Sequence, residues 1–130
     1  MIGRFALVLH SHLPWLKGHG RWPVGEEWLN QAIASSYVPV FDVLRRLAER
    51  GGRNLVTVGI TPVLAAQLDD PQCLADARGW VADWLWRTQE LALHDPAGAR
   101  REARAARHTL AALEGRYRAG FSPALRDLAD

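Results

Sequence analysis

The chain has 130 residues, the length of one ordinary domain. With 48% apolar and 23% charged residues and six Trp, it is not a disordered tail, a collagen-like repeat or a simple coiled coil. The formal charge is only +2, and a single Lys (Lys17) stands among sixteen basic residues, a skew toward Arg that reads as coding bias, not as nucleic-acid binding.

Phe5-Ala6-Leu7-Val8-Leu9 is a continuous apolar run without alternation and predicts a strand buried on both faces, the mark of a parallel sheet. It is the longest aliphatic run, far short of the ~18 residues a membrane-spanning helix needs. No charged, apolar and small-residue sequence of a signal peptide opens the chain, so neither secretion nor membrane insertion is expected. A lone cysteine, Cys73, fits a reducing cytoplasm.

After the strand comes His10-Ser11-His12-Leu13-Pro14-Trp15 and a long loop to about Leu29, with Gly18, Gly20, Pro23, Gly25 and three Trp. Loops of this length in compact domains are usually functional. A helix is expected from Ser36, as cap, to Arg50, with Pro39 in its first turn and Phe41, Leu44 and Leu47 as its buried stripe. Gly51-Gly52 stops it, and Asn54–Ile60 forms a second strand. Thr61-Pro62 starts a short helix through Leu68, and Asp69-Asp70-Pro71 reads as a solvated turn. Two longer helices follow, Gln72 to about His94 and Ala97 to about Arg118, then a cap and first turn at Ser122-Pro123. Strand, helix, strand makes a βαβ unit, so the fold class is α/β with two parallel strands plus several helices. Two strands with open apolar faces make only the first part of a larger parallel structure.

Chemistry in parallel α/β folds collects at the carboxyl ends of strands, where His10 and His12 stand. Three readings stay open for this pair: hydrogen bonds to loop backbone, metal ligation with His19 as a possible third ligand, or contacts to hydroxyls of a polar substrate. Trp15, Trp22 and Trp28 in the following loop favour a sugar, whose ring has apolar C–H faces and whose hydroxyls need partners. Trp80 and Trp84 sit one helical turn apart on an apolar stripe and are expected to pack, while Trp86 lies off it. Arg100, Arg104 and Arg107 read as a solvated helix face, and Cys73 as inert.

The stretch Arg4–Trp15, with Gly20-Arg21-Trp22-Pro23, Gly25-Glu26-Glu27-Trp28-Leu29 and Val56–Leu68, resembles glycoside hydrolase family 57, and within it the α-1,4-glucan branching enzymes. The resemblance implies the N-terminal portion of an incomplete (β/α)7 barrel, with residues 1–70 as its first two β/α units and 71–130 as a helical segment. It implies an α-glucan substrate resembling glycogen or starch, no cofactor, and the remainder of the barrel as partner. It also implies a retaining mechanism, with a glutamate nucleophile and an aspartate acid/base from later motifs, ~5–5.5 Å apart. Glu26-Glu27 and Asp69-Asp70 do not supply such a pair, so the chain alone is expected to be catalytically silent. His10 matches the family's active-site histidine of the first motif, His12 supports the pocket, and Trp22 lines the acceptor side; Trp15 and Trp28 are expected to pack. Two rivals remain: a metal-dependent amidohydrolase-type barrel fragment using His10 and His12, and a non-catalytic glucan-binding or interaction module.

Overall fold

Two short strands, β1 (Val8–Ser11) and β2 (Thr57–Ile60), pair in parallel with Val8 opposite Thr57, Leu9 opposite Val58, His10 opposite Gly59 and Ser11 opposite Ile60. This computed structural model describes residues 3–21, 23 and 25–129. The βαβ order and parallel pairing match the sequence expectation, although β1 is shifted three residues toward the histidines. The helices are α1 (Glu26–Ala32), α2 (Val38–Glu49), α3 (Pro62–Leu68), α4 (Pro71–Leu91), α5 (Pro96–Glu114) and α6 (Phe121–Ala129). No helix among the described residues is long and apolar enough to cross a membrane.

The expected start at Ser36 is corrected: helix begins at Glu26 and continues through a π-helical stretch, Ile33–Tyr37, into α2. Pro39 explains the change of pitch. It has no N–H to give the Ser35 carbonyl, and its ring would crowd that oxygen in a regular α-helix. The wider turn just before it, in which the Val38 N–H reaches back to the Ile33 carbonyl, takes up the mismatch. Of the expected stripe, Phe41 is buried, Leu44 half-buried and Leu47 exposed.

Pro71 and Pro96 occupy first-turn positions where a missing N–H costs nothing. Asp70 caps α4 by accepting from the Gln72 and Cys73 N–H groups, and Asp95 caps α5 through the Gly98 N–H (2.8 Å). Asp69 accepts from the Ser122 N–H (2.9 Å) at the start of α6. The Asp69-Asp70 turn is therefore a double helix cap, not merely a solvated bend, and Ser122 is capped instead of capping.

The core lies among the helices. Ile33, Val38, Phe41, Leu64, Leu68, Leu74, Ala77, Val81, Ala106 and Leu113 are buried in one cluster. Tyr117 stacks on Phe121 at 4.2 Å, and Phe121 meets Phe41 at 6.1 Å. Val58 and Ile60 pack against this cluster from β2. By strand alternation their partners Leu9 and Ser11 share that helix-covered face, whereas Val8 and His10 share the opposite one. That second face is open: Val8 is 64% exposed. The expectation of a strand buried on both faces is thus corrected, because the helices pack chiefly on one another and cover only one side of the sheet.

Gly120 stands in the left-handed region (φ 117°), and a Cβ there would lie 2.5 Å from Asp69 Oδ1 and 3.2 Å from Asp69 Cα. Gly120→Ala should therefore lower stability by about 2–3 kcal/mol, read as a drop in the urea midpoint at unchanged slope.

Candidate functional site

At the carboxyl ends of β1 and β2 the backbone pairing continues one step, with the Thr61 N–H donating to the Ser11 carbonyl (3.2 Å). His10 lies across from Gly59, where a Cβ would sit 3.4 Å from its Nδ1, so the glycine leaves the imidazole room over β2. Ser11 turns the other way, toward Tyr37 of the π-helical stretch. Burial raises the Tyr37 phenol above its ordinary value, with the Ser11 hydroxyl acting in the opposite direction. His10 and His12 are both exposed, His10 on the open face and His12 one residue past the strand. His19 turns its Nδ1 to the Lys17 carbonyl (3.3 Å) in its own loop. Among the described residues no three His, Cys, Asp or Glu side chains are gathered as metal ligands. Trp22 lies outside the described residues. Trp15 and Trp28 are 47% and 44% exposed, which corrects the expectation that they pack.

The segment after His12 is held by Gln67, a residue the sequence reading did not single out for a role. The side chain is fully buried in α3. Its Oε1 accepts from the N–H groups of Leu16 (2.6 Å) and Lys17 (3.3 Å), while Nε2 donates to the carbonyls of Pro14 (2.9 Å) and Val63 (3.3 Å). The signal was present in the pattern: a glutamine between Leu64 and Leu68 on an apolar stripe has to find partners indoors. Lys17 adds an ion pair to Asp70 (2.6 Å), which holds that carboxyl below the usual carboxylate range. Further along, the Gly18 N–H donates to the Glu26 side chain (2.8 Å) and the Glu26 N–H to the Gly20 carbonyl (2.8 Å). Glu26 and Glu27 thus belong to the first turn of α1, where acids suit the helix dipole, and not to a free entry loop.

The remaining sequence candidates have structural roles or none. Trp80 and Trp84 pack as expected, at 6.1 Å, with their indole N–H groups on Glu27 (3.4 Å) and Glu102 (3.1 Å). Trp86 is exposed. Cys73 is buried, and desolvation pushes its thiol up to about 11.

Two predictions arise from this region. Gln67→Ala leaves three loop backbone groups without partners and should cost about 2–4 kcal/mol, with faster hydrogen exchange at the Leu16 and Lys17 amides. Cys73 should react with a thiol reagent only as the pH approaches 11, whereas the unfolded chain reacts near 9. Because the folded chain keeps this proton longer than the unfolded one, the thiol's contribution to stability is intact below pH 9 and declines as the pH rises toward 11.

No family model matches the chain. It is 56% identical over 90 residues to a probable 1,4-alpha-glucan branching enzyme of Mycobacterium tuberculosis, a match covering 69% of this chain and 17% of that protein. It is 43% identical over 70 residues to a 1,4-alpha-glucan branching enzyme of Thermococcus kodakarensis, covering 54% of this chain and 10% of the other. In three dimensions it superposes on the crystal structure of a branching enzyme of glycoside hydrolase family 57 from Pyrococcus horikoshii with a TM-score of 0.86 at 29% identity, covering 95% of this chain and 24% of that one. On the family 57 branching enzyme of Thermococcus kodakaraensis, solved with glucose and additives, the TM-score is 0.80 at 29% identity, covering 95% and 23%. The chain therefore spans about a sixth of the length of the Mycobacterium tuberculosis relative it matches. These likenesses favour neither the amidohydrolase reading nor the non-catalytic module. In sequence and in backbone, the chain is similar to the N-terminal part of the branching enzymes of glycoside hydrolase family 57.

Proposed function

We propose that this chain is the opening segment of a cytoplasmic α-1,4-glucan branching enzyme. In this reading residues 1–70 are the first two β/α units of an incomplete (β/α)7 barrel, and residues 71–130 are a helical segment of the same catalytic domain. The observation that carries the reading is the one-sided cover of the sheet. Helices stand on the Leu9 and Ser11 face, and the Val8 and His10 face is left open. In an α/β barrel the helices ring the outside and the other face points inward. His10 then projects inward at the carboxyl end of its strand, where barrel enzymes bind substrate. The similarity to branching enzymes supplies the substrate, an α-glucan.

A sugar ring over these strand ends is held by His10 through a hydroxyl and by His12 at the pocket wall. The resemblance to branching enzymes assigns Trp22 to the acceptor side. Trp15, half-exposed beside the motif, is free to join them. The glutamate and aspartate that form and resolve the glycosyl-enzyme intermediate belong to the rest of the barrel. The chain is then passed to a 6-hydroxyl of the acceptor glucan. The same remainder covers Val8 and the rest of the open face.

Exchange of residues 1–130 for the matching segment of the Pyrococcus horikoshii enzyme tests the assignment. The chimera should form new α-1,6 links from amylose, and His10→Ala in it should lower kcat/KM by about tenfold or more. The isolated segment should form none. A folded chimera that does not branch amylose, or one indifferent to His10→Ala, overturns the proposal.

A further inference from the structure

The groove between α2 and α5 concentrates positive charge that the protein leaves unneutralised. Its volume is about 640 Å³, and its lining includes Arg46 from α2 and Arg100, Arg101, Arg104 and His108 from α5. Sequence periodicity had put Arg100 and Arg104 with Arg107 on a solvated face. The fold separates them: Arg107 stays outside, while Arg46 and Arg101 are brought in.

Among the described residues, none of these four guanidinium groups has a carboxylate partner. The one acid lining the groove, Asp42, is buried and already engaged at both oxygens, by His108 Nε2 at Oδ2 and by Arg116 at Oδ1 (3.1 Å). Within α5, Glu102 is turned to the Trp84 indole instead. Arg100 and Arg104 are also one turn apart on the same helix, a spacing at which like charges repel. A bound anion relieves that repulsion, and guanidinium groups grip phosphate oxygens in pairs. The prevalence of Arg in this chain makes the choice of Arg over Lys uninformative; the convergence from two helices is the signal.

We propose that this groove binds a compact phosphate ester, through Arg46, Arg100, Arg101 and Arg104. A chain of net charge +2 without aromatics in the groove does not suit an extended nucleic acid. The inference is independent of the glucan reading, because none of these residues lies at the strand ends.

Calorimetric titration of the chain at fixed ionic strength tests it, with inorganic pyrophosphate as first probe. A hexose monophosphate and a nucleoside diphosphate in separate arms distinguish the two sources of the phosphate. Saturable one-to-one binding is expected. Arg100→Gln and Arg46→Gln should each weaken it about tenfold, and Arg100→Gln with Arg104→Gln about a hundredfold. Arg107→Gln, on the same helix but outside the groove, should change it less than about twofold. The substituted side chains are exposed, and circular dichroism verifies that each variant folds. Absence of saturation, equal loss in Arg107→Gln, or tighter binding of a short DNA duplex with the same arginine dependence overturns the proposal.

Discussion

The buried amide of Gln67 is the interaction on which the strand-end region depends. A segment that leaves a strand and crosses the surface exposes backbone donors and acceptors, and water ordinarily satisfies them. Here Leu16 is buried, so its N–H and its neighbours need protein partners. One glutamine, with two acceptor lone pairs and two donors, serves Leu16, Lys17 and Pro14 from a single fixed point in α3. Because α3 starts directly after β2, the same short helix ties the path after β1 to the strand beside it. Asp70, just past that helix, adds the Lys17 ion pair and caps α4. The segment that follows His12 is thereby held from the helix after the neighbouring strand and not from its own.

That arrangement also sorts the two faces of the sheet. Tyr37 and the Phe41–Phe121–Tyr117 cluster lie within the helical layer, and Ser11 is turned toward it beside Tyr37. The alternation of side chains then commits His10 to the other face with no further choice. Gly59 completes the placement, since the position opposite His10 in the register carries no side chain to compete for the space. Exposure of the imidazole is thus a consequence of register and covering, with no special contact needed to aim it.

Much of this was legible in the sequence and part of it was not. An apolar run without alternation, a helix and a second apolar run specify a parallel pair, and proline and glycine punctuation marked α3, α4 and α5 to within a few residues. The start of the first helical stretch is hidden in the sequence because Pro39 argues for a nearby N-terminus. A π-helical turn is the alternative that lets the helix pass through, and it has no simple sequence signature. The roles of Asp69 and Asp70 were hidden for a different reason: a cap supplied to α6 from fifty residues upstream is a tertiary fact. Of the site, His10 was placed by motif and strand position, whereas Gln67 needed the loop path and the arginine groove needed the packing of α2 on α5.

The exposed side of β1 carries the deepest physical implication. A two-stranded sheet gains little on its own, and Val8 on the open face, together with Phe5 and Leu7 in the segment before β1, remains substantially open to water. At about 25 cal/mol per Å² of apolar surface, such residues represent several kcal/mol of burial the present contacts do not realise. The core of the helical layer does not face this deficit, since Ile33, Phe41, Leu64, Leu74, Leu113 and Phe121 are already enclosed. The two faces therefore differ in how far their own contacts bury them. The helix side holds the strands in register, while the His10 side is left open by the contacts of its own segment.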